Sequence, residues 1–191
     1  PCSCACACVP SQISTFKSEN WPRLRPATNA DCDAVRSLVF AVLVEYGLKP
    51  DPGCTDADLD DIEQSYLARG SVFHVLEAQN GSIVGSYGLY PTEAGVCELR
   101  KMYLHRDYRG KGLGRRLLEG ALAHARQSGF RRITLETASV LKEAIRLYER
   151  YGFKPVKTDH LSCRCDQAYA FDLMTCDNDN RESRSGAACE E

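Results

Sequence analysis

No stretch of this sequence approaches the ~20 consecutive apolar residues that a membrane-spanning helix needs. The first thirty residues also lack the charged start and hydrophobic middle of a secretory signal. A cytoplasmic protein without membrane association is the simplest expectation. An excess of either charge is missing too: 24 Lys and Arg face 26 Asp and Glu, for a net charge of −2. Nothing electrostatic draws the chain as a whole to nucleic acid or to anionic lipid, so no nucleic-acid partner is expected. The 11 cysteines lack zinc-type pairing, since Cys2, Cys4, Cys6 and Cys8, like Cys163 and Cys165, stand in C-x-C rather than C-x₂-C spacing. No metal is therefore expected, and a metal-binding role for the cysteines is the weaker reading.

What is there suffices for one folded unit. The chain has 191 residues, 43% of them hydrophobic, enough for a core of its own. Residues 1–20 read as an irregular Cys-rich leader, 21–174 as the domain and 175–191 as a polar disordered tail. Thr28 and Asp31 form a capping box ahead of Val35, Leu38, Val39, Val42, Leu43 and Tyr46 at helical spacing, with Gly47 as the stop. Thr55 and Asp58 repeat the start signal for a second helix, with Leu59, Ile62, Tyr66 and Leu67 on its apolar face and Gly70 at its end. Strands are predicted over 71–78 and 82–90, joined at Asn80-Gly81, and over 96–104. A helix over 112–128, a strand over 132–137, a helix over 141–151 and short strands over 155–158 and 166–173 complete an α/β pattern.

Arg109-Gly110-Lys111-Gly112-Leu113-Gly114 stands between a strand and a long amphipathic helix. Glycines let the backbone turn tightly and come close to an anion. The helix that follows adds unpaired N–H groups and roughly +0.5 of dipole charge. Arg109, Lys111, Arg115 and Arg116 surround the loop, and Arg109 and Arg115 are placed to pair with phosphate oxygens. The dinucleotide pattern fails because Arg115 stands where its third glycine belongs. The P-loop pattern fails because Gly112, not Ser or Thr, follows Lys111. A diphosphate ligand fits what remains, R-x-x-G-x-G.

Three stretches in order carry a likeness. Glu98 to Leu104 resembles the fourth strand of the GNAT superfamily of acyl-CoA-dependent N-acetyltransferases, Arg109 to Gly114 its R-x-x-G-x-G loop, and Ala144-x-x-Leu147-Tyr148-x-x-x-Gly152-Phe153 its later helix. The resemblance implies an α/β (α+β) fold with a mixed, mostly antiparallel central sheet, splayed fourth and fifth strands and flanking helices. It also implies acetyl-CoA as cosubstrate, with its pantetheine arm bonded to backbone groups of Met102, Tyr103 and Leu104. The diphosphate then rests on Arg109, Gly110, Lys111, Gly112, Leu113, Gly114 and Arg115. One departure is visible, because many members carry Asn where this chain has Leu141.

By the same likeness Glu98 is the candidate general base and Tyr148 the candidate general acid beside the sulfur. Competing assignments are an ion-pairing carboxylate beside Arg100 or Lys101 for Glu98, and a core tyrosine for Tyr148. His74 and Glu136 are fallback bases. Asp51, Asp56, Asp58, Asp60, Asp61 and Glu63 form an acidic run at the acceptor-binding region of the likeness; a solvated helix start is the preferred reading and a site for a cationic amine acceptor the other. The expected partners are acetyl-CoA and an amine acceptor, small molecule or protein, with a homodimer frequent among lookalikes. A non-catalytic acyl-CoA sensor is the alternative to an enzyme.

Overall fold

The computed structural model describes residues 22–158 and 160–173. The Cys-rich leader and the polar tail read above lie outside the described residues. Seven strands form one sheet in the order β1-β2-β3-β4-β5-β7-β6. They are β1 Arg23–Pro26, β2 Phe73–Glu77, β3 Ile83–Glu93, β4 Val96–Leu104, β5 Arg132–Thr137, β6 Lys154–Val156 and β7 Gln167–Asp172. All neighbours are antiparallel except β4 and β5. That parallel pair requires a crossover, which the helix α3 (Leu113–Gln127) supplies.

Strand alternation sends residues to two cores. Phe73 and Val75 of β2 join a cluster with α1 (Cys32–Glu45), while Leu76 joins a second cluster with α3. The Thr28–Asp31 capping box is formed, and α1 buries Val35, Leu38, Val39, Val42 and Leu43 as the spacing predicts. In α3 the buried residues are Leu113, Leu117, Leu118, Ala121, Leu122 and Ala125, the set expected from its apolar stripe. Helix α4 (Lys142–Arg150) ends at Gly152, φ 89°, and Phe153 folds back so that its N–H donates to the Tyr148 carbonyl at 3.1 Å. Among the described residues no helix is long and apolar enough to cross a membrane.

The second predicted helix is a correction. Instead of one helix over 55–70 there is a 3₁₀ turn at Ala57–Leu59, a four-residue α2 (Ile62–Ser65) and a 3₁₀ turn at Leu67–Arg69. Its aspartates bind the backbone in ways that compete with a continuous helix. Asp61 starts α2 afresh by accepting from the Gln64 N–H at 2.8 Å, and Asp56 accepts from the Asp51 N–H at 3.0 Å. Leu59, Ile62 and Tyr66 are buried as expected, but Leu67 is exposed.

Two irregularities of β4 shape everything near it. Its pairing with β5 is confined to Val96↔Arg132, Cys97↔Ile133 and Glu98↔Thr134. Beyond that point β5 stays with β7 through Thr137↔Gln167, and β4 stays with β3 through Leu104↔Gly85. The strands splay, as the likeness implies. On the other side, the register with β3 slips between Ser86↔Tyr103 and Gly88↔Arg100, so β4 carries one extra residue. Lys101 sits in this bulge with φ 53°, the only non-glycine in the left-handed region among the described residues. That conformation costs a side-chain-bearing residue about 1 kcal/mol or more.

His74 of β2 is buried against α3, its ring stacked on His124 at 4.2 Å and on Tyr87 at 5.4 Å. Burial, with the neighbouring His124, lowers its pKa from 6.5 to about 4. The folded state thus keeps His74 neutral where the unfolded chain takes up a proton, so stability is complete above pH 6.5 and declines as pH falls toward 4. Urea unfolding across that window should show a loss of at most about 3 kcal/mol from this group. His74→Phe should flatten this component of the slope; an unchanged slope contradicts it.

Candidate active site

Where β4 and β5 part, a cavity of about 1020 Å³ opens, the size of a small-molecule site. One wall is β4 from Glu98 to Leu104, whose edge toward β5 has no strand partner past Glu98. The rest comes from Glu136 and Thr137 at the end of β5, the glycine loop and start of α3, one face of α4, the C-terminal part of α1 and Tyr46, Cys54, Thr55 and Asp58, and the segment 160–165.

At one end lies the glycine loop. Gly110 (φ 73°) and Gly112 (φ 77°) are both left-handed, and a Cβ built on either meets nothing within 4 Å. The loop therefore presents bare backbone to open space. Gly114 differs from the expectation that all three glycines serve the turn: it is helical, and its Cβ would make an ordinary 3.8 Å contact with Leu147. Gly112 is the N-cap of α3, no side chain caps the helix, and its first turn holds no acid. An uncapped helix N-terminus of this length favours an anion through its free N–H groups and its dipole.

The basic residues of the loop are placed less simply than the sequence suggests. Arg109 donates from Nε to the Leu104 carbonyl at 3.0 Å and grips both carboxylate oxygens of Glu45 at 2.7 and 2.9 Å. It braces the loop against α1, and its guanidinium holds the Glu45 carboxyl below the usual carboxylate range. Arg115 lines the cavity while pairing with Glu119 at 2.9 Å. Lys111 is off the cavity wall and donates to the Asp107 carbonyl at 2.8 Å, and Leu113 is buried in the core. Arg146 and Arg150, which the sequence reading did not single out, line the cavity from α4 and have no ion pair among the described residues. Their i,i+4 spacing beside Leu147 was the available signal.

Toward the other end, Tyr148 is buried on α4 with its hydroxyl 4.0 Å from the Met102 Sδ of β4. Burial, with Tyr103 nearby, raises its pKa well above that of a free phenol, so it keeps its proton. Glu98 lies on the wall and accepts from Arg100 Nε at 2.7 Å. The second Arg100 contact, at 2.6 Å, also falls on Oε2, which leaves Oε1 without a donor among the described residues. The ion pair and the cavity position thus coexist. Glu136 is on the opposite wall, and its Oε2 accepts from the Ser162 N–H at 2.9 Å and from the Ser162 hydroxyl. His74 is not on the wall, which removes it as a fallback base.

The acidic run also divides. Asp60 pairs with Arg36 at 2.8 Å and Asp61 caps α2, as a solvated helix start would have it. Asp56 and Asp58 instead turn inward. Asp56 is 1% exposed, and it accepts from Lys101 Nζ at 2.7 Å and from both terminal nitrogens of Arg164 at 2.6 and 2.7 Å. Burial alone would raise its pKa, but the bonds from Arg164 and Lys101 outweigh it and hold the group at about 2. Asp58 Oδ1 lies 3.2 Å from the same Lys101 Nζ, and its Oδ2 accepts a short bond from the Tyr66 hydroxyl.

Residues 36–153 match the sequence model of the acetyltransferase (GNAT) family. The chain belongs to that family. It is 41% identical over 152 residues to the uncharacterized N-acetyltransferase YjgM of Escherichia coli (strain K12), an alignment that covers 74% of this chain and 90% of YjgM. Human N-acetyltransferase 8B is 31% identical over 103 residues, 51% of this chain and 45% of that protein, so the chain spans about half the length of this relative. A GNAT-family acetyltransferase from Staphylococcus aureus Mu50 superposes with a TM-score of 0.75 at 21% identity, over 80% of this chain and 99% of that one. The Sinorhizobium meliloti phosphinothricin acetyltransferase, in complex with acetyl-CoA, superposes with a TM-score of 0.64 at 18% identity, over 80% and 88% of the two chains. These two structures share the fold of this GNAT acyltransferase. Leu141, in place of the frequent Asn, is the N-cap of α4 and offers no side-chain cap.

The two kinds of glycine in the loop should separate in stability measurements. Gly112→Ala places a Cβ at φ 77° and should cost about 1–2 kcal/mol in urea unfolding. Gly114→Ala, inside a helix with ordinary contacts, should leave stability unchanged or raise it by up to about 1 kcal/mol. Equal costs would contradict the conformations described.

Proposed function

We propose that this GNAT domain transfers the acetyl group of acetyl-CoA to an amine by direct attack in a ternary complex. The observation that carries this reading is one continuous cavity that joins the uncapped start of α3, with its two left-handed glycines, to Glu98 and Tyr148 along the unpaired edge of β4. Acetyl-CoA supplies an activated acyl group, a diphosphate and an amide-bearing arm. The bare loop from Gly110 to Leu113 receives the diphosphate on backbone N–H groups, with Arg115 at its rim. Met102, Tyr103 and Leu104 offer the β4 edge to the arm, as a further strand would be offered one.

At the reacting end three tasks fall to three groups. An alkylammonium of pKa ~10.4 must lose a proton before it attacks, at a cost of roughly 4–5 kcal/mol near neutral pH. Glu98 takes that proton through water, using the oxygen that Arg100 leaves free. A backbone N–H on the β4 edge holds the charge that develops on the acyl oxygen, a contribution of about 3 kcal/mol. Tyr148 keeps its proton throughout the neutral range and delivers it to the departing sulfur.

Acetyl-CoA incubated with a panel of amines should release free coenzyme A with at least one of them. Chromatography is the proper readout, because the exposed Cys54 and Cys163 consume thiol reagents. Binding without release for any amine would instead make the protein an acyl-CoA sensor. Tyr148→Phe should lower kcat about 10²-fold while acetyl-CoA affinity stays nearly unchanged; equal turnover removes the acid role. Gly112→Asp, which sets a carboxylate where an anion should sit, should abolish acetyl-CoA binding in a calorimetric titration; normal binding rejects the loop assignment.

A further inference from the structure

The buried cluster of Asp56, Lys101 and Arg164 has no place in the steps above, yet Lys101 and Arg164 both line the cavity and Asp56 bonds to each of them. Lys101 belongs to the β4 bulge, Asp56 to the loop before α2, and Arg164 to the segment that leads into β7. Side-chain exposure is 4% for Lys101, 0% for Asp56 and 10% for Arg164. Their charges, with Asp58, cancel within the group: two carboxylates face one ammonium and one guanidinium. Within this group Asp58 Oδ1 lacks a hydrogen-bond partner among the described residues, whereas Asp56, Lys101 and Arg164 are bonded to one another. Buried ion pairs add little net stability, and fixing a register is their best-attested use.

Its contacts converge on one residue of the strand. Lys101 is fixed at both ends, since its Nζ donates to Asp56 and to the Thr55 carbonyl at 2.7 Å each, and its own carbonyl accepts from the buried Ser86 hydroxyl at 2.7 Å. The bulge adds one residue to β4, and side chains and amides alternate in direction along a strand. Moving the extra residue by one position would turn the backbone groups between the two positions to the opposite edge. Met102 follows the bulge immediately, on the part of β4 whose edge is unpaired and lines the cavity.

We infer that the Asp56–Lys101–Arg164 cluster is a positioning device that locks the β4 bulge at Lys101 and thereby aims the strand's amides at the acyl oxygen. This rests on the acetyl-transfer reading. Lys101 acts through the backbone and Asp56 and Arg164 act through Lys101, so none of the three need touch substrate. The left-handed backbone at Lys101 persists because the buried carboxylate grips its side chain.

Lys101→Gly separates these roles, because glycine adopts φ 53° freely but cannot reach Asp56. If the backbone alone set the bulge, this variant would be as active as the wild type. Lys101→Met keeps the bulk and removes the ion pair. Both should lower kcat at least tenfold with the KM for acetyl-CoA within about threefold. Arg164→Lys, which retains charge but loses the bidentate grip, should lose less, and it serves where a Lys101 variant does not fold. A readout of aim is the carbonyl stretch of bound S-acetonyl-CoA, an unreactive ketone analogue. It should lie below its solution frequency in the wild type and return toward it in the variants. Folded variants with unchanged kcat and unchanged carbonyl frequency would overturn the inference while the wild type still turned over. A wild type that binds no acetyl-CoA would overturn the proposed function and this inference with it.

Discussion

The parting of β4 from β5 after Glu98 and Thr134 is the constraint on which the site depends. Two parallel strands joined by a crossover helix would ordinarily pair along their length, burying the backbone groups that here remain open. Each strand instead finds its continuing partner on the far side, β3 for β4 and β7 for β5. The gap exposes a strand edge at the centre of the sheet, where it is walled in by helices and loops. An exposed edge elsewhere would invite aggregation, but an edge in a deep cavity offers pairing only to something narrow enough to enter.

The two ends of that gap differ in chemistry because different forces build them. At the loop end, glycine conformation and helix polarity make the environment, and the arginines serve partly as braces, Arg109 against Glu45 and Arg115 against Glu119. Toward the Tyr148 end, burial dominates: it keeps Tyr148 protonated and encloses Asp56, while Glu98 meets one guanidinium. The family assignment adds the class of reaction to this geometry, and the geometry adds to the family which residues of this chain meet.

Much of the fold was legible because it is written in short-range patterns. The limits of β4 and β5, the buried stripe of α3 and the stops at Gly47 and Gly152 all follow from periodicity and glycine placement within a few residues. The glycine loop was legible for the same reason. What escaped depends on contacts distant in sequence. Asp56 looked like one of several solvated acids, since nothing local reveals that Lys101, 45 positions away, and Arg164, 108 away, converge on it. The same inward turn helps to break the helix that Thr55 and Asp58 advertise. Arg109 looked free to bind phosphate because Glu45, 64 residues earlier, lies on another element.

A crystal structure with acetyl-CoA bound tests the central claim most directly. The account predicts the diphosphate against the backbone N–H groups of Gly110 to Leu113, the arm paired along Met102 to Leu104, and the sulfur within reach of the Tyr148 hydroxyl. Electron density for the cosubstrate elsewhere, with the glycine loop empty, would contradict it.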